Sequence, residues 1–198
     1  ADLTADLAGR DFTINAMAVN VTQPELLIDP LKGVKDIKAG YLQICNPHSF
    51  TNDPIRVIRA VRMAIQFNLR ITENTLCALK QEVKNLDKIS QERIRDELFR
   101  ILESENIASA IRLLEELGIL EPIWPELSRL KNVEQGSTHR FDVWEHTLST
   151  IRGLEEIWNV LVDEFDEEKA SNLLMGTVSA RLGRFRQALE DHFRESIN

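Results

Sequence analysis

Apolar and polar positions alternate with the period of a β-strand near the start of the chain. A strand is predicted over residues 11–19 because apolar side chains occupy every second position there, at Phe12, Ile14, Ala16 and Ala18. Two shorter apolar runs, at 26–28 and 41–45, predict two further strands. Three strands are too few for an independent domain, so we expect residues 1–47 to form the end of a larger mixed sheet.

From residue 53 onward the apolar positions recur every three to four residues, which is the period of an amphipathic helix. Asp53 at the N-cap and Pro54 at the first helical position mark the predicted start of this helix. A loop is predicted around Pro122 and Pro125 and another at 136–138. Further helices are predicted over 72–86, 90–102, 106–117, 142–160 and 166–194.

The change of period predicts an α+β fold in which a partial mixed sheet is followed by a mainly all-α neck and body. We divide the chain into a sheet region at 1–47, a helical neck and body at 48–130, and a helical tail region at 131–198.

Composition and charge narrow the classes of function. Hydrophobic residues make up 43% and charged residues 28% of the 198 residues, as in ordinary globular proteins. The net charge of −8 argues against nucleic-acid binding through an overall basic surface, but residues 1–100 carry +1 and residues 101–198 carry −9. If the protein has an RNA-contacting surface, the charge distribution therefore places it in the first half.

Cys45 and Cys77 have neither metal-ligand spacing nor the pattern of a disulfide framework, and no apolar run approaches 18 residues. We expect a cytoplasmic protein with no membrane contact.

A negatively charged residue, Asp53, and a positively charged residue, Arg56, are one helical turn apart. A carboxylate beside a guanidinium complements the amine and ring-nitrogen acceptor that cytosine and adenine share, and it rejects uracil and guanine, which offer the reverse order. On these two residues alone, a helix cap with a surface ion pair is the simpler interpretation.

Arg59 and Arg62 continue along the same helix and could hold triphosphate or RNA backbone oxygens. The alternative is a solvated face whose arginines pair with acids elsewhere. Asn15 is informative because a buried amide without a partner is costly, so it needs either a loop to cap or a ligand to bind.

Two motifs in order, RDFTINAMA at 10–18 and DPIRVIRAVR at 53–62, carry a family resemblance. They resemble the nucleotide-binding segments of the bacterial-type tRNA nucleotidyltransferase and poly(A) polymerase family, whose members add CCA or A residues to RNA 3′ ends. The family's Glu-Asp-x-x-Arg reads NDPIR at 52–56, so the first acid is replaced while the Asp/Arg pair is kept. Residues 29–36 resemble the family's Asp-Pro-x-x-Gly-x-x-Asp connector, in which we expect Asp29 and Gly33 to be structural.

This resemblance implies a nucleotidyltransferase-type sheet and a protein template for the base of ATP or CTP, formed by Asp53 and Arg56. It assigns Arg10, Asp11 and Asn15 to the sugar and phosphates of the nucleotide. Arg59 and Arg62, inferred from their helical spacing, complete the set of predicted nucleotide contacts. The segment at 90–98 also resembles the family, at the helix that supports the nucleotide site. We expect Glu92 and Arg93 to cap the helix and form ion pairs there, and Arg93 and Arg95 are the candidates for RNA contact. The implied partner is the 3′ end of tRNA or another RNA.

The resemblance also implies Mg²⁺, held in the family by an Asp-x-Asp pair behind a Gly-Ser or Gly-Gly turn. No such arrangement occurs in residues 1–198, so we expect the metal carboxylates to lie upstream of residue 1. We accordingly assign no catalytic residue and no metal ligand to this chain, and we expect it to be inactive alone in RNA extension.

Residues 139–147 resemble the opening of an HD-type metal-dependent phosphohydrolase region, which follows the transferase in many family members. Metal ligation there needs adjacent His and Asp, and the order is reversed at Asp191 and His192. We therefore expect His139 and His146 to hold no metal.

The resulting hypothesis is the nucleotide-selecting and RNA-binding portion of a CCA- or A-adding tRNA nucleotidyltransferase. The alternatives are a poly(A) polymerase, a non-catalytic RNA-binding helical module, and a metal-dependent phosphohydrolase with a vestigial transferase half.

Overall fold

The computed structural model describes residues 2–133 and 142–162, together with the single positions 177, 181, 185 and 188. The chain forms two compact units, Ala1–Trp144 and Glu145–Asn198. The predicted α+β class is confirmed, because short strands and helices precede residue 53 and helices dominate after it. Both predicted domain boundaries, at 47 and 130, fall within the first unit, and that division stays a prediction.

The strands of the described part are β1 Ala18–Asn20, β2 Gln23–Ile28, β3 Tyr41–Leu42 and β4 Arg70–Ile71. Its helices are α1 Leu3–Ala8, α2 Gly33–Ala39, α3 Ser49–Asn52, α4 Arg56–Gln66, α5 Glu73–Glu82, α6 Gln91–Leu102, α7 Ile107–Glu116, α8 Leu120–Ile123, α9 Pro125–Ser128 and α10 Val143–Val162. Two 3₁₀ segments, Thr13–Asn15 and Val83–Lys88, complete the list. No helix in this part of the chain is long and apolar enough to cross a membrane.

The strands form two separate pairs. β1 and β2 make an antiparallel hairpin, and β3 and β4 make a short parallel pair. The predicted strand at 26–28 is confirmed within β2, whereas only the first two residues of the run at 41–45 belong to β3. We did not predict β4, because two residues are too short to show a period.

The strand predicted over 11–19 is wrong for most of its length. Phe12 makes one antiparallel bridge with Ile44, and the chain then turns through the 3₁₀ segment before β1. The reason is local hydrogen bonding, since Asp11 Oδ1 accepts from the Phe12 N–H at 2.8 Å and from Asn15 Nδ2 at 3.0 Å. Such side-chain bonds compete with a strand ladder for the same backbone.

The N-cap predicted at Asp53 is also wrong, because α4 begins three residues later at Arg56. Asp53 ends α3 in an extended conformation, and its carbonyl accepts from the Arg56 N–H at 3.1 Å. Its carboxylate makes no cap, and Pro54 lies in the turn before the helix.

Helix α4 is the centre of the core of the first unit. Its buried side chains repeat at helical spacing and are Val57, Ile58, Ala60, Val61, Met63 and Ala64. It packs against α6 and α7, whose bounds agree with the segments predicted at 90–102 and 106–117. The central amphipathic period therefore identified the helix that organises the unit.

The remaining helix predictions have mixed outcomes. α5 and the following 3₁₀ segment span 73–88, against the predicted 72–86, and α10 spans Val143–Val162, against the predicted 142–160. Around the two prolines the structure has α8 and α9 instead of a loop, which is possible because proline is tolerated in the first turn of a helix. The loop at 136–138 lies outside the described residues, as does nearly all of 166–194.

A capped helix start fixes the segment in front of the candidate site. The Asp29 carboxylate accepts from the N–H groups of Gly33 at 2.7 Å and Val34 at 3.0 Å, and so caps α2. Gly33 lies directly against the 3₁₀ segment, where an added Cβ would be 2.2 Å from the carbonyl oxygen of Thr13. Both connector residues thus have the structural roles predicted for them.

Candidate functional site

One wall of a cavity of about 630 Å³ is formed by helix α4. The cavity collects all seven residues predicted to contact a nucleotide, and its lining consists of Arg10, Asp11, Asn15, Asp53, Arg56, Arg59, Arg62, Met63, Gln66 and Phe67. Four guanidinium groups face two carboxylates, so the lining carries a net charge of +2 in a chain of net charge −8. This local excess of positive charge suits an anionic ligand.

The Asp11 carboxylate joins the two motifs at the centre of the cavity. Its Oδ2 lies 2.7 Å from Nη2 of Arg59, and its side chain is 8% exposed. Nε of Arg59 is buried and has no hydrogen-bond partner among the described residues. Arg59 therefore combines a short ion pair with a buried donor that has no partner among the described residues, and buried donors in proteins are nearly always hydrogen-bonded.

Arg10 and Asn15 flank this pair. Arg10 Nη1 donates to the Asn15 carbonyl at 3.0 Å, and Nη2 lies 3.5 Å from an Asp6 oxygen, while 47% of the side chain stays exposed. The Asn15 amide, which needed a partner, donates to Asp11. Arg10 is thus the arginine of this group that solvent reaches most easily.

Arg56 is held by backbone carbonyls. Its Nη2 donates to the Gly9 carbonyl at 3.2 Å, and its Nη1 donates to the Arg10 carbonyl at 3.2 Å and to Ser49 Oγ at 3.1 Å. These bonds connect the start of α4 to the segment that carries the first motif. The guanidinium plane is therefore fixed before any ligand binds.

Asp53 pairs with α6. Its Oδ2 accepts from Arg93 Nη2 at 2.9 Å, and this hydrogen bond raises the pKa of the Arg93 guanidinium. The prediction that Asp53 and Arg56 project from the same turn of one helix is wrong, because Asp53 precedes α4. They nevertheless line the same cavity.

The two arginines predicted to contact RNA differ in position. Arg93 reaches the edge of the cavity through Asp53. Arg95 pairs with its neighbour Asp96 at 2.9 Å, with both side chains more than half exposed, and it is not part of the cavity lining.

Arg62 shows the acid-paired arrangement that we considered as the alternative for the arginines of α4. Its Nε lies 2.8 Å from Oε2 of Glu97 in α6, and both side chains are largely buried. Its Nη1 also donates to Gln66 Oε1 at 3.0 Å. This ion pair connects α4 to α6 at the wall of the cavity.

Three lining residues escaped the sequence analysis: Met63, Gln66 and Phe67. A signal for them exists in the sequence, since they follow Arg56 and Arg59 at intervals of three or four residues and so share a helix face. The apolar pattern of the helix hid this signal.

The described residues do not fit a Mg²⁺ site. Asp11 and Asp53 are both engaged with arginines, and no group of three His, Cys, Asp or Glu side chains in the described ranges could hold a metal ion. His139 lies outside the described residues, and His146 belongs to α10.

Cys45 lies close to Asp11, Arg10 and Arg56, so the reactivity of its thiol tests how tightly the chain packs around Asp11. Burial raises the pKa of its thiol to about 12, and the Asp11 carboxylate contributes in the same direction. The folded state therefore favours the neutral thiol. Its contribution to the free energy of unfolding is fully present below the ordinary pKa of 9.0 and is lost as the pH rises towards 12.

We therefore expect Cys45 to react much more slowly than the exposed Cys77 with a thiolate-selective reagent at pH 8. Labelling with iodoacetamide followed by peptide mass spectrometry should show one modified cysteine in the native protein and two after denaturation. Equal native labelling of both cysteines would contradict the packing around Asp11.

Two family models match the chain. The model of the Poly A polymerase head domain matches residues 1–43, and the model described as "Probable RNA and SrmB- binding site of polymerase A" matches residues 68–131. The Multifunctional CCA protein of Neisseria gonorrhoeae (strain NCCP11945) is 36% identical over 154 residues, which are 76% of this chain and 37% of that protein. The chain thus spans little more than a third of this curated relative.

Solved structures show the same likeness. A CCA-adding enzyme in complex with CTP is 31% identical, with a TM-score of 0.59 over 80% of this chain and 34% of that chain. A tRNA nucleotidyltransferase complexed with a primer tRNA and an incoming ATP analog is 28% identical, with a TM-score of 0.66 over 87% of this chain and 51% of that chain.

Proposed function

We propose that this chain, which belongs to the bacterial-type tRNA nucleotidyltransferase and poly(A) polymerase family, selects the incoming nucleotide and holds the RNA during addition to tRNA 3′ ends. The single observation that carries this proposal is the cavity that brings both motifs together with a net positive lining. The proposed ligands are ATP and CTP, and the proposed partner is tRNA.

Arg10 and Arg59 are the proposed contacts for the triphosphate. Arg10 is half exposed and the Arg59 side chain is about one third exposed, so both guanidinium groups can be reached from the cavity. Guanidinium groups bind phosphate oxygens through two parallel hydrogen bonds, which orients the ligand as well as attracting it. Asp11 and Asn15, which hold each other and Arg59 in place, are assigned to the ribose side of the same nucleotide.

Asp53 and Arg56 are the proposed base template. Carbonyl partners orient the Arg56 guanidinium, and Arg93 holds Oδ2 of Asp53, so both groups are positioned in advance. We assign Asp53 Oδ1 to the exocyclic amine, and Arg56 to the ring acceptor, of adenine or cytosine. A uracil or guanine would leave these polar groups unpaired, which is the strong form of rejection.

A poly(A) polymerase is the second candidate, favoured by the family model that matches residues 1–43. Use of CTP separates the two functions, since a CCA-adding enzyme needs both nucleotides.

We further propose that the whole enzyme uses Mg²⁺ held by residues other than those described, and that it acts in the cytoplasm, where its substrates are found. Two-metal catalysis would neutralise the developing charge of the transferred group. The residues described above bind and orient the substrates.

Nucleotide binding to the purified chain tests this proposal. Isothermal titration should show that ATP and CTP compete for one site, and Arg10→Gln should weaken both about tenfold, because a hydrogen bond to a charged group is removed. Arg95→Gln is the matched control, since Arg95 pairs with Asp96 away from the cavity. The proposal is refuted if neither nucleotide binds, or if both arginine variants have the same effect.

A further inference from the structure

The face of α4 that lines the cavity changes its chemistry along the helix. Arg56 and Arg59 lie at one end, Met63, Gln66 and Phe67 lie at the other, and Arg62 between them is neutralised by its buried pair with Glu97. The distance along the helix axis from residue 56 to residue 67 is about 16 Å at 1.5 Å per residue. The cavity therefore has a cationic end and an aromatic end that are too far apart to contact the same base.

Phe67 is exposed although it directly follows α4, the helix that forms the core. Its exposed fraction is 53%, whereas Met63, one turn earlier, is 6% exposed. Single exposed apolar residues are common on protein surfaces and need no explanation by themselves. This one differs because its ring lines a cavity whose remaining wall carries arginines.

A cavity that carries guanidinium groups at one end and an aromatic ring at the other has the two features that proteins use to bind single-stranded nucleic acids. Cations follow the backbone, and a base stacks on the ring without regard to its identity. Resting on the function proposed above, we propose that Phe67 is a stacking platform for a base at the 3′ end of the RNA, while the incoming nucleotide occupies the end near Asp53 and Arg56.

Two arguments favour an RNA base over the incoming base at this position. Stacking tolerates every base, which suits an RNA end whose last nucleotide changes with each addition, whereas nucleotide selection needs hydrogen bonds. In addition, the segment that matches the RNA-binding family model begins at residue 68, immediately after Phe67.

The test measures two ligands on the same 198-residue chain. Fluorescence anisotropy with a labelled five-nucleotide single-stranded RNA should show about tenfold weaker binding for Phe67→Ala, and near wild-type binding for Phe67→Trp, since the larger ring keeps the stacking surface. ATP affinity, measured by titration, should stay within about twofold in both variants, as ATP makes no contact with this ring. Thermal melting confirms that each variant is folded.

Tyr41→Ala is the control, because Tyr41 is an aromatic residue of β3 that is 43% exposed, does not line the cavity and lies outside the segment that matches the RNA-binding family model. It should leave RNA affinity unchanged. The platform is disproved if wild type fails to bind the RNA, if Phe67→Ala binds it as tightly as wild type, or if both alanine variants lose the same affinity. A loss of ATP affinity in Phe67→Ala would place the incoming base there and also overturn the assignment, whereas absence of ATP binding in wild type would refute the proposed function instead.

Discussion

Asp53→Asn is expected to lower the preference for ATP and CTP over UTP and GTP by roughly tenfold or more. The amide keeps the size of the carboxylate but replaces one acceptor with a donor, so the edge shared by adenine and cytosine loses a good hydrogen bond. Losing one such base contact costs about 1–3 kcal/mol of discrimination. Competition titrations with all four nucleotides on the same chain give the preference directly.

Asp96→Asn provides the control for this change. It makes the same chemical substitution in another arginine-paired aspartate, which is exposed and lies outside the cavity lining. Its four affinities should keep their wild-type ratios. If Asp53→Asn weakens all four nucleotides equally, its pair with Arg93 is structural and the template assignment fails.

Gly33→Ala is expected to destabilise the first unit by about 2–3 kcal/mol. The added Cβ would stand 2.2 Å from the Thr13 carbonyl oxygen, so the backbone of the 3₁₀ segment must move, and overpacking of this kind typically costs 1–3 kcal/mol. Because this segment follows Asp11 closely and contains Asn15, ATP affinity should fall as well. Urea denaturation measures the first effect, and titration measures the second.

Gly153→Ala is the matched control for the glycine change. Gly153 lies within α10, and a Cβ there would meet no atom of the described residues outside its own helix within 4 Å. Alanine should be neutral or stabilise the helix by up to about 1 kcal/mol, because it has the higher helix propensity. A Gly33→Ala protein that is as stable as wild type would show that the close approach to Thr13 is not a constraint.

The long helices could be predicted because their apolar faces repeat over three or more turns. The period of α4, α6 and α7 is strong enough to fix their positions to within a few residues. The 3₁₀ segment at Thr13–Asn15 could not be predicted in this way, because the side chain of Asp11 redirects a backbone whose apolar pattern is that of a strand.

For the candidate site too, the sequence predicted one part and missed another. The motifs identified the seven residues and their types, including the Asp/Arg pair and the run of arginines on α4. The start of α4 was misplaced because Asp and Pro together imitate a helix start, while the structure uses the Asp53 carboxylate for an ion pair with another helix.

The sequence by itself therefore determined which charged groups are available and in what order, since residue type and helical period are local properties. The tertiary structure alone decided which charges neutralise one another. Arg62 meets Glu97 from 35 positions away, and Asp53 meets Arg93 from 40 positions away, because the packing of α4 against α6 brings them together. Ion pairs depend on distances through space, so only the fold could show that Arg62 is matched by a buried acid while Arg10 remains half exposed at the cavity.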